Sequence, residues 1–266
     1  MSELLYEKKD HVANIKLNRP ERMNAISIHM LAEFGRALED ADDDAEIRVI
    51  VLTGAGRGFC SGLDLKDASS GKGIGGEGTF SPGGGISHLT TREIPTVTLQ
   101  RIDTPIICAL NGSAAGYGFD LALGCDIRLM SDRAKLLPGF AKLGGVPESG
   151  GTWFLPRMLG WAKACEVAFL GEPLLPERAL ELGLVNKVVP HDEFEAEVAR
   201  WADTIAANAP LAVRAIKRMF RHGLSEDFES HTHHVLAQVA LLLRSEDFKE
   251  GLAALLQKRK PDFQGR

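Results

Sequence analysis

The stretch CALNGSAAGYGFDLALGCDIRLM, Cys108–Met130, decides how the rest of the chain is read. It begins inside a buried β-run from Pro105 to Leu110 and breaks at Asn111-Gly112, a turn signal. Order resumes at Gly116-Tyr117-Gly118 as an apolar helix running to about Leu123. Small residues at such a junction let a ligand approach the backbone. The first helical turn leaves N–H groups unpaired, with the positive end of the dipole behind them. That suits an anion, or negative charge that develops during a reaction. Taken alone, the stretch reads equally well as a tight strand-to-helix turn with no chemistry.

A second junction of the same kind lies upstream. Ile47–Leu52 is a β-branched apolar run, hence a buried strand. It leads into TGAGRGFCSGLDLK, residues 53–66, with amides near Leu63 facing outward at an expected helix start. Two N–H donors from separate junctions could together grip one oxygen. Downstream, Glu148 follows Pro147 in a turn, just before a helix expected to open at Gly150-Gly151. A carboxylate in that place also serves as an ordinary first-turn charge.

The remaining segments frame these junctions. Leu4–Lys9 and His11–Leu17 read as strands around Asp10, followed by a turn over 18–21. Ser27 is placed to cap a helix whose apolar stripe is Met30, Leu31, Phe34 and Leu38. Its outer end is acidic, from Glu39 to Asp44. Residues 67–94 form a glycine-rich loop, read as a mobile lid. Its GKGIGG run, residues 71–76, formally matches G-x-G-x-x-G. No strand enters it and no amphipathic helix leaves it, so a dinucleotide site is rejected; His88 reads as solvent-facing. A short helix is expected over Thr91–Arg101, started or interrupted at Pro95, and strands over Asp126–Met130 and Ala134–Leu137. Pro176 opens a helix that Gly183 ends, and Val185–Val189 reads as a strand. Four amphipathic helices follow: Phe194–Ala207, Leu211–His222, Ser225–Leu243 and Asp247–Arg259. They suggest a core over residues 1–190 and a helical C-terminal subdomain over 191–266. His231 and His234 have a spacing that permits metal ligation, but no carboxylate or cysteine stands beside them. They read as a surface helix face, and no metal is expected.

Composition narrows the function classes. The 266 residues carry a net charge of −5 with no long basic tract, which disfavours nucleic acid as a partner. The N-terminus lacks an apolar signal core, and no apolar run reaches the roughly 18 residues of a membrane span. Cys60, Cys108, Cys125 and Cys165 lack metal spacing and read as reduced thiols of a cytoplasmic protein.

Taken together, the blocks match a known family. NRPERMNA (18–25), LTGAGRGFCSGLDL (52–65), residues 105–128, GGTWFLPR (150–157), ALELGLV (179–185) and KRKPDF (258–263) occur in an order that resembles the crotonase superfamily, the enoyl-CoA hydratase/isomerase family. The resemblance covers almost the whole chain. It implies an α/β spiral of ββα units, a helical C-terminal trimerisation subdomain, and a homotrimer or dimer of trimers. It implies an acyl-CoA thioester as substrate, coenzyme A entering only as part of it, and no permanently bound cofactor. By that similarity the backbone N–H groups of Leu63 and Tyr117 form an oxyanion hole, in agreement with the two junctions.

Family hydratases carry two glutamates across the pocket. The first matches Asp120, one methylene shorter; the second matches Phe140, which transfers no proton. Glu148 matches the carboxylate base of family isomerases. Dienoyl-CoA isomerases pair it with one at the Asp120 position, and simple enoyl-CoA isomerases work with the later carboxylate alone. The expectation is therefore an isomerase in which Glu148 moves the proton, its pKa raised by desolvation near Phe140, with Asp120 a second proton carrier or a structural acceptor. The alternative is a hydratase using Asp120 and Glu148. A nucleophilic carboxylate of the aroyl-CoA dehalogenase kind wants a histidine or tryptophan pair, which Phe140 and Val97 do not offer. A non-catalytic acyl-CoA-binding or RNA-binding relative is disfavoured, the latter because the first long helix is acidic. Gly62, Leu63 and Asp64 match the adenine turn, and Arg19 and Arg57 match phosphate-binding positions, with Lys258 or Phe263 as contributors from a neighbouring subunit. Phe80, Phe119, Phe140, Trp153 and Phe154 are candidates for an apolar acyl pocket.

Overall fold

The computed structural model describes residues 2–64 and 95–266. The glycine-rich segment read as a lid, with its GKGIGG run, Phe80 and His88, lies outside the described residues, as does any helix following Leu63.

The chain opens with a hairpin of β1 (Leu4–Lys9) and β2 (Val12–Leu17). Asp10 and His11 take positive φ of 48° and 68°, as a two-residue turn matched to the twist of paired strands requires. β2 then pairs in parallel with β3 (Val49–Gly54), β3 with β5 (Ile106–Leu110), β5 with β7 (Ile127–Ser131) and β7 with β9 (Lys187–Val189). The order of this sheet is β1-β2-β3-β5-β7-β9. A second, parallel sheet is built from β4 (Gly58–Cys60), β6 (Ser113–Ala115) and β8 (Leu136–Leu137). The pairs β3–β4, β5–β6 and β7–β8 each place one strand in each sheet, and helices connect successive pairs. This is the ββα spiral. The sequence reading treated Gly58–Cys60 and Ser113–Ala115 as turn. Three-residue strands of mostly small side chains carry no readable period, and only their pairing defines them.

The helices are α1 (Ile28–Asp43), α2 (Pro95–Arg101), α3 (Tyr117–Gly124), α4 (Gly151–Leu159), α5 (Trp161–Leu170), α6 (Pro176–Glu181), α7 (Phe194–Ala206), α8 (Pro210–Gly223), α9 (Phe228–Leu242) and α10 (Glu246–Gln257). Ser27 caps α1 by accepting the Met30 N–H at 3.0 Å, and α1 buries Met30, Phe34, Ala37, Leu38 and Ala41. The other face of the large sheet is covered by α7, whose Phe194, Val198, Ala202 and Ala206 pack with Val49, Val51, Ile107, Ala109 and Leu129. Burial on both faces explains why these strands read as continuous apolar runs.

Two charged clusters lock the helices to the sheet. Arg128 of β7 is buried and donates to the carbonyls of Cys125 (2.6 Å), Ala122 (3.3 Å) and Leu184 (2.6 Å). It thereby satisfies carbonyls that the end of α3 leaves unpaired. From α8, Arg221 and Arg218 both reach Asp103, and Lys217 reaches Asp126 at 2.7 Å. Beyond this contact the C-terminal helices leave large apolar groups uncovered. Phe220, Phe228, Leu236, Leu241, Leu255 and Leu256 are all exposed. Cys60, Cys108, Cys125 and Cys165 are free thiols. No helix among the described residues is long and apolar enough to cross a membrane.

Candidate active site

The two junctions lie against each other. Gly62 has φ of +98°, and a Cβ there would lie 3.0 Å from the Ala115 carbonyl oxygen and 3.4 Å from the Tyr117 nitrogen. Only glycine fits both the conformation and the approach. The Leu63 turn is held from behind by residues 24–26. Ile26 N–H donates to the Gly62 carbonyl at 2.8 Å, and Asp64 N–H donates to the Ile26 carbonyl at 3.1 Å. Asn24 is buried and donates to the carbonyls of Ala55 and Gly58 at 2.9 and 2.8 Å. On the other side α3 starts at Tyr117, and its Gly116 carbonyl accepts from Phe119 and Asp120. No acceptor among the described residues takes the N–H of Leu63 or Tyr117. Two backbone donors on adjoining turns thus lack an acceptor among the described residues, as a site for one oxygen would require.

The carboxylates sit on the neighbouring elements. Glu148 lies in the turn after Pro147, exposed in the protomer, three residues before α4. Asp120, in the first turn of α3, is fully buried. Its Oδ2 accepts the Ser149 N–H at 2.8 Å, which ties it to the residue next to Glu148. Its Oδ1 lies against Gly151, where any Cβ would overlap it, and accepts no hydrogen bond of good geometry. Burial pushes the Asp120 pKa from its ordinary 3.8 up to about 7, and the charge of Glu148 adds to the rise. The N–H groups of Ser149 and Gly151 pull it down by less. The turn leaves Glu148 exposed and seats its neighbour's N–H on the buried Asp120.

Tyr117 adds a group that the sequence reading considered only for its backbone. Its side chain is buried and its hydroxyl has no partner among the described residues. Burial, with Cys60, Glu148 and Asp120 nearby, pushes the phenol well above its usual range. It stays protonated and offers a hydrogen-bond donor near the two carboxylates. Its signal was in the chain: a tyrosine among glycines at the first position of an apolar helix.

Phe140 is buried and meets Phe119 edge-to-face, ring centroids 6.4 Å apart. Phe154 is buried as well, and its ring abuts Gly150. Trp153, grouped with them as a pocket residue, is instead partly exposed and stacked under Arg157, whose guanidinium lies 3.9 Å from its ring. Consecutive positions of α4 point to different sides.

Among the basic candidates, Arg19 is nearly buried and its donors are spoken for. It pairs with Asp64 at 3.0 Å and Glu3 at 3.2 Å, and donates to the Ala25 carbonyl at 2.7 Å. Arg19 and Asp64, both read as contacts of coenzyme A, thus hold each other and brace the Leu63 turn. Arg57 is exposed. Phe263 is drawn back onto its own chain, its carbonyl accepting from Arg48 at 2.7 Å.

The family model described as enoyl-CoA hydratase/isomerase matches residues 7–266. The chain is 35% identical over 266 residues to the 1,2-epoxyphenylacetyl-CoA isomerase of Escherichia coli, covering 100% of both chains. It is 37% identical over 265 residues to a probable enoyl-CoA hydratase of Rhodobacter capsulatus, covering 98% of this chain and 97% of the other. The crystal structure of an enoyl-CoA hydratase from Bacillus anthracis superposes with a TM-score of 0.89 at 30% identity, covering 100% of each. These relatives carry both isomerase and hydratase names.

Proposed function

The chain belongs to the enoyl-CoA hydratase/isomerase family, and on that premise we propose that it shifts a carbon–carbon double bond in an enoyl-CoA thioester by proton transfer through Glu148. The thioester oxygen sits between the N–H groups of Leu63 and Tyr117. Glu148 removes an α or γ proton, the electrons move onto the carbonyl oxygen, and the resulting dienolate takes the proton back at the other carbon. The two fixed donors stabilise that oxyanion; loss of one such donor typically costs about 3–4 kcal/mol in the transition state.

The observation that carries this reading is the hydrogen bond from Ser149 N–H to Asp120 Oδ2. It commits Asp120 to fixing the turn that presents Glu148, while the side chain at the second hydratase position is the buried, proton-less Phe140. Asp120 is then a positioning residue. One observation favours the hydratase alternative: the unsatisfied Oδ1 of Asp120, with a pKa near 7, suits an acid working with Glu148 on a water molecule.

Gly62 provides close backbone approach for the substrate, Phe140 lines the acyl pocket, and Arg57 contacts the phosphates of coenzyme A, while Arg19 and Asp64 act through the Leu63 turn. No cofactor beyond the thioester's own coenzyme A is needed. The apolar surface left open on the helices after Pro190 supports a division into a catalytic core over 1–190 and a subdomain over 191–266 that assembles trimers or paired trimers. The enzyme works in the cytoplasm on a small-molecule thioester.

Product analysis with crotonyl-CoA in H₂O and trans-3-hexenoyl-CoA in D₂O tests the proposal. Conversion of the 3-enoyl to the 2-enoyl thioester with little hydration of crotonyl-CoA is expected. Rapid formation of 3-hydroxyacyl-CoA would replace it with the hydratase reading.

A further inference from the structure

A second cluster of chemistry-bearing side chains lies far along the chain, in the hairpin between α8 and α9. His222 ends α8, Glu226 stands in the turn, and His231 and His234 lie on the first turns of α9. The sequence reading left the histidines without a carboxylate, because Glu226 precedes them by five and eight residues and comes near only when the turn folds back. We infer that His222, Glu226 and His234 form a site for a divalent cation of the zinc class, with His231 beside it.

The geometry is that of a ligand set. Nδ1 of His222 lies 3.2 Å from Glu226 Oε1. Nδ1 of His234 and of His231 lie 2.9 and 3.6 Å from Glu226 Oε2. Ligand atoms of His222, Glu226 and His234 all fall within 4.8 Å of one another. Bonds of about 2.0–2.1 Å at tetrahedral angles place ligand atoms about 3.3–3.4 Å apart, a separation that small side-chain shifts within the 4.8 Å group would reach. Imidazole nitrogen and carboxylate oxygen are the donors that zinc takes.

Hydrogen bonding alone accounts for His222 and His234, but not for His231. Its Nδ1 is buried, 3.6 Å from Glu226, and has no hydrogen-bond partner among the described residues. The hairpin also makes room for this ring: a Cβ on Gly223 would lie 3.3 Å from His231 Cε1, so a side chain there would press on it. His222 and His234 are about half exposed, with side-chain exposures of 45% and 56%, which leaves an entry path. A bound ion would clip α8 to α9, and since it binds the folded hairpin it would stabilise it.

The test is metal titration of the chelator-stripped full-length protein. Zn²⁺ competition against a chromophoric chelator, with metal counting by mass spectrometry, is expected to give one ion per chain. Substitution by Co²⁺ is expected to give a d–d spectrum of tetrahedral intensity. The double variant His222→Ala/His234→Ala should bind at least about 100-fold more weakly, and Glu226→Gln, which keeps the hairpin's hydrogen-bonding shape, at least about tenfold. Enoyl-CoA turnover should be unchanged in both, so the outcome is independent of the reaction proposed above. Fewer than about one ion per ten chains, an octahedral Co²⁺ spectrum in the wild type, or equal affinity in Glu226→Gln would overturn the site.

Discussion

Asp120→Asn separates two roles for the buried carboxylate. The substitution keeps an oxygen to accept the Ser149 N–H and removes the charge. A pKa raised from 3.8 to about 7, at about 1.4 kcal/mol per unit, makes the ionised form about 4 kcal/mol less favourable in the folded state. The folded protein therefore binds more protons here than the unfolded chain between about pH 4 and 7. Its stability from this group falls as pH rises through that window and levels off above it. The asparagine variant lacks this slope. Urea unfolding at pH 4.5 and pH 8, at one fixed protein concentration, should show the variant gaining on the wild type by about 3 kcal/mol between the two. Parallel stabilities at the two pH values would refute the burial argument. The same variant tests positioning: kcat for 3-enoyl-CoA conversion should fall less than about tenfold, whereas a proton carrier would lose about 10²–10⁴-fold.

Gly62→Ala should leave the fold intact by circular dichroism but lower kcat by about 10²–10³-fold, because its methyl group would crowd the Ala115 carbonyl and the Tyr117 nitrogen and displace one oxyanion donor. Arg57→Ala should raise KM for acyl-CoA about tenfold with kcat unchanged, as expected for one lost charge-assisted contact to a phosphate, measured by initial rates at low ionic strength.

The strands and helices that bury a continuous apolar surface were legible in the sequence because burial dictates residue type. Ile106–Leu110, Tyr117–Gly124 and the stripe of α1 lie within two residues of where composition puts them. The two glycine-rich junctions were legible in the sequence, though that they touch at Gly62 is a tertiary fact. What was not legible depends on contacts distant in sequence. Arg19 reads as a phosphate contact, yet Asp64, 45 residues on, pairs with it. The sequence assigns Glu148 as base and Asp120 as second proton carrier or structural acceptor, but that Asp120 is buried and Glu148 exposed, with the Ser149 N–H turned toward α3, is a tertiary fact. The His222–His234 cluster required the α8–α9 turn to bring a glutamate back onto α9.

The most direct test of the account is Glu148→Gln assayed with trans-3-hexenoyl-CoA. The amide keeps size and hydrogen bonding but cannot accept the proton, so kcat should drop by about 10²–10⁴-fold while KM changes little, and deuterium from D₂O should no longer appear in the product. Full activity with undiminished deuterium incorporation would contradict the assignment of Glu148 as the base.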